Sequence, residues 1–223
     1  LWPYTGVYRI CFDRTPLMAV SATGFSAGSV TALSGVQSDR ISAALRRPAE
    51  RLAQEAESTR VKLSAFGQAQ SATAAVQTAS RTLQDARQVS TAADAKAAAE
   101  AFVQAYNGER AALSNAAGNG AAAVPEGARA SIAASQLERV VADNATAFRD
   151  AGIRIQQDGS LTVDAKALES AYATNPSAVT QALGAVGRAA EATATRQLGS
   201  NGSIGAAVNN LNTRLQQIET RQE

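Results

Sequence analysis

From Leu52 onward, apolar and small residues recur at alternating spacings of four and three, the repeat of one face of an α-helix. Leu52, Ala56, Thr59, Leu63 and Phe66 open this row, and Ala69, Thr73, Val76, Ala79, Leu83 and Ala86 continue it. Pro48 stands where the first turn of a helix tolerates proline, and only Gly67 interrupts the run. The pattern predicts one helix of about 38 residues, or about 57 Å at 1.5 Å per residue. Order is expected from near Ile41, after a leader over residues 18–38 built of Ser, Gly, Thr and Ala.

Residues 87–93 carry β-branched and Ser side chains that weaken a helix, and Asp94 reads as the N-cap of the next. Its apolar face holds Ala98, Phe102 and Tyr106. The Ala, Gly and Asn of residues 115–127, with Pro125, predict a loop. From Ala130 to Phe148 the row Ile132, Leu137, Val141, Ala145 and Phe148 has helical spacing, ended by Gly152.

A different period follows. Ile153-Arg154-Ile155 and Leu161-Thr162-Val163 alternate apolar and polar residues on either side of Gln157-Asp158-Gly159-Ser160, which predicts a β-hairpin. Asp164 then caps a helix with Leu168 and Tyr172 one turn apart. Asn175-Pro176 provides an N-cap and a first-turn proline for a helix through Val179 and Leu183, with Gly184 as its stop. Beyond the break from Gly199 to Gly202, Ile204, Val208, Leu211, Leu215 and Ile218 form a heptad seam.

The fold class expected is mainly α: an elongated antiparallel coiled coil of the N- and C-terminal helices, short middle helices and one β-hairpin. Leu52, Leu63, Phe66, Val76 and Leu83 would face Ile204, Val208, Leu211, Leu215 and Ile218. The regions implied are 1–38, 39–92, 93–198 and 199–223. A last helix of about 20 residues would leave roughly 27 Å of the first one uncovered. Leu52, Leu63 and Phe66 would then be exposed, and an apolar stripe of that kind invites self-association. The same seam could instead be shared between subunits.

Composition sharpens this picture. Aromatic residues make up only 4% of the chain, so its apolar surface is expected to close along narrow, Ala-lined seams rather than in a thick core. Four of these residues, Trp2, Tyr4, Tyr8 and Phe12, fall in residues 1–17 with the one Cys, Cys11. The one Met, Met18, follows directly. The abrupt change suggests that residues 1–17 are upstream sequence read in frame. The apolar run Leu17 to Val20 is too short for a cleaved secretory signal.

The 21 basic and 19 acidic residues are scattered, giving a net charge of +2 without the blocks expected of a nucleic-acid or membrane-surface binder. The absence of His removes the commonest general base and metal ligand. A lone Cys forms no intrachain disulfide and no zinc cluster. No stretch is long and apolar enough to predict a membrane-inserted segment.

Asp158-Gly159-Ser160 lacks the acidic spacing of a calcium loop, and no Ser has a His partner. Asn144-Ala145-Thr146 and Asn201-Gly202-Ser203 match a glycosylation pattern that arises often by chance. Tyr106 with Asn107 reads as core rather than as a polar site. The expectation is a protein without enzymatic activity, cofactor or metal.

Two strings of residues carry a resemblance. Gly152-Ile153 through the Asp-Gly-Ser-Leu turn, Val163-Asp164, Lys166-Ala167-Leu168 and Asn175-Pro176 to Val179 is one, and Ala101-Phe102-Val103-Gln104-Ala105-Tyr106-Asn107 is the other. Together they resemble the bacterial flagellar filament capping protein family, also called hook-associated protein 2. Residues 134–141 resemble the family's next short helix, and Pro48 to Leu83, with Lys62-Leu63-Ser64-Ala65-Phe66-Gly67, its long N-terminal helix. The likeness covers residues 39–223 and is strongest over 98–183.

The resemblance implies a structural subunit of the flagellum, exported by the flagellar type III route without a cleaved signal and assisting flagellin assembly at the filament tip. Its implied partners are flagellin and other flagellar axial proteins, further copies of itself and an export chaperone. The chain departs from the family in two places. Only Asp85 to Asp94 stands where the family inserts β-rich outer domains, and the family continues past the position of Glu223. The alternative is a cytoplasmic coiled-coil interaction module, or a remnant of a capping protein that no longer assembles.

Overall fold

The structure, a computed structural model, describes the backbone of residues 29–85, 88–119 and 125–222, and side chains from Arg46 onward except Asn119. The expectations placed on residues 1–28 and on Ala86 lie outside the described residues. The chain divides into two compact units, Leu1–Arg47 and Pro48–Glu223. Of the first, a helical backbone from Ser29 and the exposed side chains of Arg46 and Arg47 are described.

Seven helices and one hairpin follow in order among the described residues. They are α1 (Ser29–Gln84), α2 (Ala92–Asn119), α3 (Pro125–Asp143), α4 (Ala145–Asp150), β1 (Ile153–Ile155), β2 (Leu161–Val163), α5 (Ala165–Thr174), α6 (Pro176–Leu198) and α7 (Ser203–Gln222). The protein is mainly α, packed helix on helix.

The second unit closes as a layered helical assembly. α2 packs on α3, α3 on both α6 and α7, and α5 on α2 and α6, while α4 rests on α6. Its core is dominated by alanines and medium-sized side chains, among them Ala69, Ala95, Ala99, Ala130, Ala133, Leu113, Leu183 and Leu211, with Phe66, Phe102, Tyr106 and Phe148 as bulk. Alanine's short side chain lets helix axes approach closely, so a chain poor in aromatics still buries a continuous core.

The hairpin has the predicted bounds and pairs Ile153 with Val163, Arg154 with Thr162 and Ile155 with Leu161. Gly159 in its turn adopts φ 81°, which glycine enters without steric cost. The caps at α5 and α6 follow from local chemistry. Asp164 accepts from the Ala167 N–H at 3.0 Å, and Asn175 from the Ala178 N–H at 3.0 Å, with Pro176 in the first turn.

Several expectations are corrected. α1 is already helical at Ser29, so Pro48 is an interior residue rather than its first turn. Ala43, Ala44, Leu45, Arg46 and Arg47 are strong helix formers that carry the helix through the one backbone bond proline cannot make. Thr91, not Asp94, heads α2. The Thr91 hydroxyl accepts from the Asp94 N–H at 3.1 Å and the Asp94 carboxylate from the Thr91 N–H at 3.0 Å, a reciprocal capping box.

Helix α2 runs on to Asn119 and α3 starts at Pro125, so residues 115–119 and 125–127 of the predicted loop are helical. Asn144 divides the helix expected from Ala130 to Phe148 into α3 and α4, and Ile132 is 52% exposed while Ala130, Ala133, Leu137 and Val140 face inward. Gly184 does not end α6. It is buried mid-helix, where packing outweighs the roughly 1 kcal/mol that an interior glycine costs.

Candidate functional site

Among the described residues, the long seam of α1 and the docked hairpin are two arrangements held by specific side chains. Partners along α1 shift toward its N-terminus from α6 to α7. Gly187 lies against Ser80 and Leu83, Glu191 accepts from Arg81 and Gln84 at 2.7 Å each, and Gln77 donates to Thr195 at 2.9 Å. Arg214 of α7 then reaches Glu55, and Arg60 reaches Glu219 at 3.1 Å. α6 and α7 therefore run in tandem, antiparallel to α1.

This tandem corrects the expectation of a bare stripe. α6 covers the C-terminal part of α1 and α7 the stretch before it, so Phe66 is 1% exposed, and Leu52 and Leu63 are half-buried. Of the other seam residues, Val76, Leu83, Ile204, Leu211 and Ile218 are buried, and Val208 and Leu215 are half-buried. At Gly187 the helices approach so closely that a Cβ would lie 2.5 Å from the Ser80 carbonyl oxygen. The predicted helix ended at Gly184 and so gave no sign of this contact.

The hairpin docks on α2 through Asn107. In an antiparallel ladder, hydrogen-bonded and non-hydrogen-bonded pairs alternate. The bonds Gln156 N–H to Ser160 C=O and Asp164 N–H to Gly152 C=O set that alternation, so Leu161 turns its own N–H and C=O outward. Asn107 takes both: its carboxamide oxygen accepts from the Leu161 N–H at 3.0 Å and its NH₂ donates to the Leu161 C=O at 2.9 Å. One side chain thus stands where a third strand would pair.

Neighbouring contacts reinforce the dock. Tyr106 donates its hydroxyl to the Gly159 C=O at 3.4 Å, Arg110 to the Asp158 C=O, and Phe102 packs on Phe148 at a ring separation of 6.1 Å. Burial pushes the Tyr106 phenol up to about 12, so it stays a donor across the physiological range. From sequence, Tyr106 with Asn107 reads as core rather than as a polar site. The signal that could have found Asn107 is its place one residue after a buried Tyr, beside a hairpin with a free edge.

A third feature lies between α1 and α2. Glu109 is fully buried, with Oε1 2.8 Å from the Thr73 hydroxyl and Oε2 without a hydrogen-bond partner. Burial pushes its carboxyl up to about 7, opposed by the Thr73 hydroxyl. Its position was legible in principle, because Phe102, Tyr106, Glu109 and Leu113 share one row.

Among the described residues no group of three or more His, Cys, Asp or Glu side chains is placed to hold a metal ion. No described helix is long and apolar enough to cross a membrane. Compared with family models, curated proteins and solved structures, the chain matches none of them.

Proposed function

We propose that this protein is a non-enzymatic structural subunit of the bacterial flagellum, of filament-cap type, that acts by helix-mediated assembly with flagellin and other axial proteins outside the cell. The observation that supports this reading best is a meeting in space of its two family-like strings. Tyr106 and Asn107, at the end of the Phe-Val-Gln-Ala-Tyr-Asn segment, hold Gly159 and Leu161 of the Gly152 to Val179 segment. Strings 54 residues apart that serve one contact are parts of one packing unit. From Pro48 onward, α1 with its antiparallel partners gives the long helical seam that such a subunit needs.

Secretion tests the proposal. The epitope-tagged chain, expressed in flagellated cells, should reach the medium or the filament when the flagellar export gate is intact and stay inside when the gate is deleted. Retention in both strains would sink the reading. It would favour a cytoplasmic coiled-coil module, a second reading supported by the burial of Phe66, Val76 and Leu83 within the chain's own helices.

A further inference from the structure

The proton count at the contact between α1 and α2 is unusual. The Thr73 hydroxyl lies 2.9 Å from the Ala69 carbonyl and 2.8 Å from Glu109 Oε1, yet it carries a single hydrogen. With Glu109 ionised, both neighbours are acceptors, and one of the two short contacts has no proton. With Glu109 protonated at Oε1, the acid donates to Thr73 and Thr73 donates to Ala69, so both distances are satisfied. Oε2 stays buried without a partner, which an anion tolerates far less than a neutral acid.

Among the described residues no cation offsets the charge. α1 carries no charged residue between Lys62 and Arg81, and Arg81 is bound to Glu191 of α6. On α2, Arg110 reaches the Asp158 carbonyl, and Tyr106 is a neutral phenol with Arg110, Glu109 and α3's Glu138 around it. Glu138 is itself exposed. On α6, Arg196 donates to Thr193; on α7, Arg214 and Glu219 are engaged by Glu55 and Arg60.

We propose that Glu109 and Thr73 form a pH-operated latch that locks α1 onto α2 while Glu109 is protonated and loosens that contact as it ionises. The latch does not depend on the flagellar reading. Its carboxyl proton is the first member of a relay, Glu109 O–H to Thr73 O–H to Ala69 C=O, and loss of that proton leaves a buried charge among the buried Phe66, Val76 and Leu113. The folded state therefore holds a proton that the unfolded chain releases at ordinary carboxylate pH. Stability should fall as pH rises from the unfolded value near 4.5 to about 7, and level off above it.

The test uses the full chain. Carboxyl ¹³C NMR should show one Glu, assigned by its absence in Glu109→Gln, titrating well above the other carboxylates. Amide exchange over Phe66 to Ala79 and Phe102 to Leu113, corrected for intrinsic rates, should show opening rising at least tenfold between pH 5 and 8. Glu109→Gln keeps an N–H that can donate to Thr73, so the rise should disappear. A Glu109 titration at ordinary carboxylate pH, or the same pH-dependent opening in both proteins, would overturn the latch. If Glu109→Gln does not fold, the wild-type urea midpoint decides: a fall between pH 5 and 8 supports the latch and a flat profile overturns it.

Discussion

Replacing Asn107 by Ala probes the hairpin dock most directly. The substitution removes two hydrogen bonds, of 2.9 and 3.0 Å, and leaves the outward N–H and C=O of Leu161 without a protein partner. Each bond contributes about 1 kcal/mol net, and a buried polar group stripped of its partner costs about 1–3 kcal/mol. Leu161 itself is 1% exposed, so water reaches its backbone poorly. The expected loss is therefore about 2–4 kcal/mol.

Urea unfolding followed by circular dichroism should then show the midpoint lowered by about 1–2 M, for a denaturant slope of roughly 2 kcal/mol per M. The Leu161 amide should exchange more than about tenfold faster, since 1.4 kcal/mol corresponds to a factor of ten. Asn107→Asp should fall between wild type and Asn107→Ala at neutral pH, because a carboxylate still accepts from the Leu161 N–H but cannot donate to its C=O. A midpoint shifted by less than about 0.2 M, with Leu161 exchange unchanged, would show that the hairpin is held by apolar packing alone and that the strand-mimic argument fails.

Other expectations are shorter to state. Gly187→Ala should destabilise by about 1–3 kcal/mol, because its Cβ would press on the Ser80 carbonyl; a gain in thermal stability would mean that helix propensity outweighs the contact. Leu211→Asp places an unpaired charge at a fully buried site and should cost several kcal/mol, whereas Arg214→Ala removes an exposed pair worth about 0–1 kcal/mol; equal urea midpoints for the two would refute the seam assignment. Asn175→Ala should cost about 1 kcal/mol in chemical denaturation through loss of the α6 cap, and Asn175→Ser should recover most of it; no difference between the two would place the start of α6 elsewhere. Circular dichroism of the wild type should be helix-dominated, with a sheet-dominated spectrum as the contrary result.

Features that depend on a few adjacent residues were legible in the chain. The Asp-Gly turn with its alternating flanks fixed the hairpin, because a left-handed residue and a two-residue period leave little choice of register. Asp164 and Asn175-Pro176 marked the starts of α5 and α6, because a side-chain acceptor reaches only the N–H groups two or three residues on. The four-and-three row from Leu52 to Leu83 announced a long helix and most of its buried face. The heptad row from Ile204 to Ile218 did the same for α7, with its ends buried and Val208 and Leu215 at the margin.

Tertiary structure decided what competes with local preference. Pro48 is a local start signal and Gly184 a local stop signal that α1 and α6 pass through, because the loss at one residue is smaller than what a whole packed helix gains. The choice of α6 and α7 together as partners for α1 depends on where Gly187 allows two backbones to touch and where Gly202 and Gly205 fit against the end of α6. No spacing within one segment encodes that meeting. The same holds for Asn107 and Glu109: sequence placed both on α2, but only the approach of β2 made one a surrogate strand, and only the approach of Thr73 gave the other a partner and took away its water.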